Sequence, residues 1–515
     1  MSRAGSRAAG GADFRWISWV AVAAFTALWA SRWPAFPLGP DPAYHLHVAR
    51  QVVEAGGPMT HESWEAAPEG RPHLYPPALH VALGGLLAAG VDPLIAIRLL
   101  SVALPSLWLL TIFLVSRRLF GDAAGGCAVL AGLVPFSAHV AGAVTMAATL
   151  AAIELLWLVV AIEERRPLAA GGLAVLLVYT HLGMPLIAAT TVAGCAVLRP
   201  EIRATVRRAA WGLPLAMPWW WHLWRHQRWV SLVGREENAH VVLQVGVLLA
   251  AAAGLWACCR RQGRWVWLPA LALGFLWLAP FHQYRWLSGE GLLPMVLLAG
   301  AGLAWLVRRA PWPRLIAVAI WLALVAAPSL AHIPQGQTPE GSAPASWRWI
   351  WPDAAPWHLA GLAAENPMEI SLAAPKLLRW APVVAAQTAP GEILWSNAPY
   401  AGGLVCALAG RAMSSIMLPD VAPLQPDRVG AAHAILWWKI EMDAGYELER
   451  VIRPGWIRLA EDDLAVLFRQ PGSRPLAPRP RACLSLALAA ALLAGAAGLC
   501  AWDLSRPGQA SPKPV

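Results

Sequence analysis

The 515-residue sequence predicts a mainly α-helical, polytopic membrane protein carrying a small α/β domain on the extracytoplasmic side. Three observations lead there. Hydrophobic residues make up 58% of the chain and charged ones 14%, with a mean hydropathy of +0.50; a water-soluble protein of this length cannot solvate so apolar a surface. Apolar runs recur from residue 16 to residue 331, and arginine clusters close alternate ones. From 332 to 478 the runs shrink to strand length between Pro and Gly. The formal charge of +10 does not point to nucleic acid, because the arginines punctuate the ends of runs and form no basic–aromatic face.

The first run, 16–31, follows Arg3, Arg7 and Arg15; it reads as a retained helix rather than a cleaved signal peptide, with the N-terminus in the cytoplasm. Residues 77–90 are apolar but short of the roughly 20 residues a helical span needs, so they read as an interfacial or re-entrant helix and the whole of 32–95 stays outside. Spans are then expected at 96–116, 123–141, 144–162, 168–182, 183–198, 209–224, 241–259, 266–281, 287–307 and 315–331. This arrangement puts Arg117/Arg118, the EERR of 163–166, Arg199 to Arg208, the CCRRQGR stretch and Arg308/Arg309 all on the cytoplasmic side.

Within 332–478, the stretches EILWSN (392–397), AHAILWWKI (432–440), YELERVI (446–452) and LAVLFR (464–469) have strand length. A last span at 482–502 returns the C-terminus to the cytoplasm. The organisation is therefore 1–331, a transmembrane domain; 332–478, an external α/β domain; and 479–515, a final helix and tail, with about twelve spans in a bacterial-type inner membrane. Of the seven cysteines only Cys406 lies in the external domain, which excludes an internal disulfide there, and no CxxC metal motif is present.

Polar chemistry concentrates in the loop 38–80, which carries Asp41, Tyr44, His45, His47, Glu54, His61, Glu62, Arg71 and Tyr75. Asp41 suits the first turn of a helix running through AYHLHVARQVVEAG, and equally a general base or metal ligand at the membrane face. His45 and His47 diverge by about 200° on a helix, whereas Asp41 and His45, four apart, share a face. Elsewhere on the outer side lie His139, in the 136–145 connection, and Glu236 and Glu237, in 224–240. Arg285 sits at a span boundary, where an arginine either snorkels to headgroups or clamps a phosphate with its planar fork. Glu154, in mid-span, requires a polar partner or a proton.

With the loop outside, DPAYHLHVARQVVEAGG followed by GRPHLYPPALHVALGGLLAAGVDPLIAIRLLS resembles the first external loop of the GT-C glycosyltransferases. The oligosaccharyltransferase catalytic subunit is the nearest in pattern, the lipid A aminoarabinose and protein mannosyltransferases more distant. In motif the resemblance covers 38–118 and 281–303. Asp41 takes the acidic position, Tyr75-Pro76-Pro77 the turn before the second juxtamembrane helix, and Arg285, in QYRWLSGEGLLPMVLL, the position that contacts the donor phosphate. Glu236 or Glu237 matches loosely a functional Glu of the family's mobile external loop. The resemblance implies Asp41 as catalytic base, with Tyr44, His45, Tyr75, His139, Glu236, Glu237 and Arg285 as substrate-binding residues.

Two departures stand out. The stretch PFSAHVAGAVTMA, where a second acidic motif belongs, has no carboxylate, and no WWD-type sequon-reading signature occurs. N-linked protein glycosylation is therefore not expected. The cofactor the resemblance implies is a divalent cation, Mg2+ or Mn2+, on Asp41, and losing the second motif weakens that site.

One carboxylate suffices for the implied chemistry. A polyprenyl phosphate is a weakly basic leaving group that needs charge stabilisation rather than a general acid, and the acceptor hydroxyl needs only one base. The expected partners are a polyprenyl-linked sugar donor, an acceptor of unidentified type, and membrane lipids. The alternatives are a non-catalytic scaffold and a transporter or flippase of lipid-linked sugars.

Overall fold

The computed structural model describes residues 4–31, 33–37, 40–134, 146–229, 241–280, 285–286, 290–308, 312–333, 346–350, 375–415, 429–439, 448–452, 454–472 and 476–506. The chain is mostly helical. Helix α1 (Ala4–Ser31) is followed by α2 (Pro40–Ala55), α3 (Ala78–Ala88), α4 (Pro93–Phe120), α5 (Asp122–Gly132), α6 (Met146–Glu163), α7 (Pro167–Thr180) and α8 (Met184–Leu198). Then come α9 (Arg203–Ala210), α10 (Met217–Arg225), α11 (Val245–Cys259), α12 (Trp267–Phe275), α13 (Leu292–Val307) and α14 (Pro313–Ala326). Among the described residues, Phe14–Ser31, α4, α6 and the C-terminal Leu486–Ser505 are long and apolar enough to cross a membrane; the expected spans at 168–182, 241–259, 266–281, 287–307 and 315–331 appear as shorter apolar helices, and that at 183–198 as one arm of a pair bent by 119°.

Local sequence accounts for the boundaries. Asp92 accepts hydrogen bonds from the Leu94 and Ile95 amides at 2.9 and 3.0 Å and Pro93 holds N1, so α4 starts earlier than its apolar run. It ends at Gly121, whose φ of +94° suits glycine. The expected span 209–224 is instead a 3-10 turn at Leu213–Ala216 between α9 and α10, because Gly212, Pro214 and Pro218 interrupt the helical ladder.

One apolar core runs through α1, α4–α9 and α11–α14. Helices α11 and α13 approach closely: a Cβ on Gly254 would stand 1.8 Å from the Leu298 carbonyl oxygen, and one on Gly302 would stand 2.3 Å from that of Ala250. Small residues permit such contact between apolar helices.

The arginine clusters collect at one end of the bundle. Arg15 and Arg117 both lie 2.9 Å from Asp122, Arg118 donates to Glu164, Arg199 pairs with Glu163, and Arg264 reaches the Arg118 carbonyl. The loop 40–92, His181 and α10 occupy the other end, where the imidazole of His222 lies 2.7 Å from the His73 carbonyl.

A five-stranded sheet forms in the C-terminal part from β6 (Ile393–Ser396), β7 (Ala412–Met413), β8 (Ala434–Trp438), β9 (Ile457–Glu461) and β10 (Ala465–Arg469), in the order β7-β6-β8-β10-β9. The β6 strand is parallel to both neighbours, and the pairs of β10 are antiparallel. The stretch 446–452 does not extend the sheet; Leu448–Val451 is helical, because Leu448, Val451 and Ile452 at i, i+3 and i+4 turn one apolar face to Trp395 and Phe468. Helices α15 (Trp380–Gln387) and α16 (Pro399–Ala409) cover the sheet, and α2 packs on them, Tyr44, Val48 and Val52 sharing a core with Trp380, Val384 and Val405. The C-terminal helix α17 (Leu486–Ser505) starts against the loop, the Leu486 amide donating to Gly56 O at 2.7 Å, and ends at the start of α7, where Asp503 accepts from the Ala169 amide.

Gly254→Leu is expected to lower the thermal midpoint of the detergent-solubilised protein, through overpacking worth about 1–3 kcal/mol or more. Gly498→Leu, at a position with nothing within 4 Å of the added Cβ, is expected to leave it unchanged.

Candidate active site

The site builds outward from Tyr75. Its ring stands edge-on to Tyr44 at 5.8 Å, His45 at 5.0 Å and His181 at 6.5 Å between centroids. Burial pushes its phenol up, Asp41 and Glu290 push it further, and Arg285 opposes them. Asp41 and Arg285, 244 positions apart in the chain, both lie near enough to this phenol to influence it electrostatically. Asp41 lies half-buried in the first turn of α2, a position the helix dipole favours for a carboxylate. The Arg285 Nη1 is 3.5 Å from Glu290 Oε1.

Beneath this surface the loop holds a dry polar network. Glu62 is fully buried; its Oε1 accepts from the Tyr44 hydroxyl at 2.9 Å and meets His73 Nδ1, and its Oε2 lies 3.3 Å from Arg71 Nη2. Arg71 also donates through Nε to Glu65 at 2.7 Å. Burial opposes the charge on Glu62, yet Arg71 and then His73 hold its carboxyl well below the usual range. These contacts clamp the hairpin of β1 (His61–Glu62) and β2 (Arg71–Pro72) onto α2.

A second buried pair joins α2 to α3, His45 Nδ1 lying 2.9 Å from His80 Nε2. Burial lowers the pKa of His45 to about 3 and holds His80 well below 6.5. The other ring nitrogens, His45 Nε2 and His80 Nδ1, are buried without a hydrogen-bond partner among the described residues, an arrangement that tolerates two neutral imidazoles and not an imidazolium. His47, brought down to about 4 by burial, lies 3.3 Å from the Trp64 carbonyl.

Of the residues singled out in the sequence, Asp41, Tyr75 and Arg285 converge. Tyr44 and His45 are fully buried beside them, the Tyr44 hydroxyl donating to Glu62 and His45 paired with His80. Their aromatic bulk and α2 spacing bury them against the hairpin and α3. His139, Glu236 and Glu237 lie outside the described residues. Glu154, the mid-span carboxylate, accepts from the Thr180 hydroxyl at 2.9 Å. Sequence reasoning missed Glu290 and His181 as neighbours of the site and His73 and His80 as members of the network. The crowding of histidines in PHLYPPALH was the available signal.

Mg2+ and Mn2+ prefer about six oxygen donors, several of them supplied by water or substrate. Among the described residues no group of three His, Cys, Asp or Glu side chains converges to hold such an ion. The described residues do not by themselves complete a site for one.

A scan against family models gives no match, and neither does a search of curated proteins. Solved structures do match. ArnT from Cupriavidus metallidurans in the apo state aligns over 87% of this chain and 97% of its own, at 14% identity and a TM-score of 0.56. The archaeal oligosaccharyltransferase AglB from Archaeoglobus fulgidus, in complex with an inhibitory peptide and a dolichol-phosphate, aligns over 82% of this chain and 69% of its own, at 11% identity and 0.57. The chain has the GT-C fold. A further match is ArnT bound to undecaprenyl phosphate, at 14% identity and 0.53 over 87% of this chain and 97% of that one. In this chain the loop between α1 and α4 carries Asp41 and the segment before α13 carries Arg285, two distant segments that both come near Tyr75.

The buried imidazoles fix a pH response. Their folded pKa values lie below the ordinary 6.5, so the unfolded chain binds more protons between about pH 6.5 and 4 and stability falls as pH drops through that window. Each neutral-locked imidazole should cost about 2 kcal/mol at pH 5. The thermal midpoint is expected to be flat above pH 7 and to fall steeply from pH 6.5 to 5, and His45→Asn/His80→Asn should flatten that fall.

Proposed function

We propose that the protein is a membrane glycosyltransferase that moves a sugar from a polyprenyl-phosphate donor to an acceptor hydroxyl on the outer membrane face. The observation that carries this reading is the GT-C fold, shared with one structure bound to undecaprenyl phosphate and another to a dolichol-phosphate. Asp41 and Arg285, both near enough to Tyr75 to influence its phenol, supply a candidate base and a candidate phosphate contact. The arginine clusters gathered opposite the loop support an outward-facing site under the positive-inside rule.

In this reading Arg285 exchanges Glu290 for the donor phosphate, a pairing its fork geometry favours. The acceptor oxygen attacks the anomeric carbon opposite that phosphate while Asp41 takes the hydroxyl proton. The new C–O bond forms as the sugar–phosphate bond breaks, both electrons leave with the phosphate, and the anomeric centre inverts. Charge developing on the leaving phosphate is offset by Arg285. The Tyr75 phenol, kept protonated, stays a hydrogen-bond donor between the two.

The tail has a berth. An apolar cavity of about 530 Å³ between α6, α7, α8, α9 and α10 is lined by Leu158, Leu177, Leu182, Pro185, Leu186 and Trp220 among others. Leu182 follows His181, the ring neighbour of Tyr75, so a lipid lying there points its head toward the centre.

Purified protein in lipid, given a mixed pool of polyprenyl-linked sugars and acceptors, is expected to turn donor over. Asp41→Asn should cut kcat by about 10²-fold or more and Arg285→Ala by about 10²–10³-fold, with melting midpoints kept. An Asp41→Asn variant as active as wild type would remove the proposed base.

A further inference from the structure

A second cavity, of about 580 Å³, lies toward the other end of α2, between the turn into α4, the end of α16 and the segment leading to α17. Arg50, the cation of its α2 wall, is nine residues beyond Asp41, about 14 Å along the helix. Arg411 and Arg479 also line it, with Glu54 and Asp92 as its carboxylates and Trp64 among its apolar walls.

Two of the cations here, Arg50 and Arg411, spend donors on backbone oxygens. Arg50 uses Nη1 on the carbonyls of Ala407, at 2.9 Å, and Leu408. Arg411, buried, donates to the carbonyls of Ala385, Thr388, Ala409 and Gly410 and to the Thr388 hydroxyl. Among the described residues neither guanidinium has a carboxylate within ion-pair distance. Burial weakens the charged form of Arg50, and Arg411 weakens it further. Asp92 is occupied in capping α4, and Glu54 is exposed.

Arg50 also has donors to spare. Gly410, at φ +68°, packs over its guanidinium, where a Cβ would sit 3.4 Å from both Cζ and Nη2 and 3.7 Å from Nε. Neither Nη2 nor Nε makes a hydrogen bond among the described residues. These two parallel N–H groups match an oxyanion's bidentate geometry, and an anion relieves the repulsion between the two guanidiniums.

We propose that this cavity binds a phosphate group, held by Arg50 and Arg479 and backed by Arg411. The apolar walls and the start of α4 beside it fit a phosphate carried on a lipid stem; free phosphate shares the same headgroup chemistry. Occupancy would tie α2 and α4 to the sheet-bearing part of the chain.

The test compares melting midpoints of the full-length detergent-solubilised protein with phosphatidylglycerol, phosphatidylcholine or inorganic phosphate added, alongside native mass spectrometry of retained lipid. Phosphatidylglycerol is expected to raise the midpoint by about 3–6 °C more than phosphatidylcholine. That difference should at least halve in Arg50→Gln and in Arg479→Gln. The exposed Arg479 makes its variant the safe one if Arg50→Gln melts abnormally. A shift with inorganic phosphate alone names the free anion as sufficient, and a shift only with phosphatidylglycerol names the lipid. Equal effects of both lipids with no phosphate effect, or a phosphatidylglycerol shift undiminished in Arg479→Gln, would overturn the proposal.

Discussion

The structure of the site rests on one buried carboxylate. Glu62 sits fully out of water with Arg71, His73 and Tyr44 around it. Desolvating an ion pair costs several kcal/mol per charge unless the remaining lone pairs and protons are satisfied. Here two more side chains help to satisfy them. Removing Arg71 would leave two buried carboxylates, Glu62 and Glu65, without their shared cation. The network presses the β1–β2 hairpin onto α2, and α2 presents Asp41 at its first turn.

The same helix joins the parts of the molecule. Its Tyr44, Val48 and Val52 enter the apolar core of α15, α16 and the sheet, while Leu46 and Ala49 pack with α3 and α4. Apolar burial of this kind contributes about 1.5–3 kcal/mol per large side chain. A helix gripped on two faces cannot rotate, which fixes the direction of Asp41 relative to Tyr75. Arg285 arrives from the far side of the sequence, on the short segment before α13, with Glu290 Oε1 3.5 Å from its Nη1.

Much of the helical architecture was legible because lipid imposes long apolar runs and arginine closes them. Residues 96–116 and 144–162 emerge as α4 and α6, lengthened at Asp92-Pro93 in the first case. The fold's boundaries failed to read where backbone chemistry overrode hydropathy, as at Gly212, Pro214 and Pro218. In the C-terminal part, strand-length apolar runs between Pro and Gly marked β6, β8 and β10, but Leu448–Val451 turned helical because its apolar residues fit a 3.6-residue period. Within the site, Asp41 and Arg285 stood out because charge beside a span needs a reason. For Tyr44 and His45 only the fold reveals the buried partners Glu62 and His80. Partners 18 and 35 residues away leave no local spacing signal.

The most direct measurement is a cryo-EM structure of the protein in nanodiscs with a polyprenyl-phosphate sugar bound. The account predicts phosphate density on the Arg285 guanidinium, with Glu290 displaced and the sugar between Tyr75 and Asp41. Donor density away from Arg285, with the Arg285–Glu290 pair intact, would contradict it.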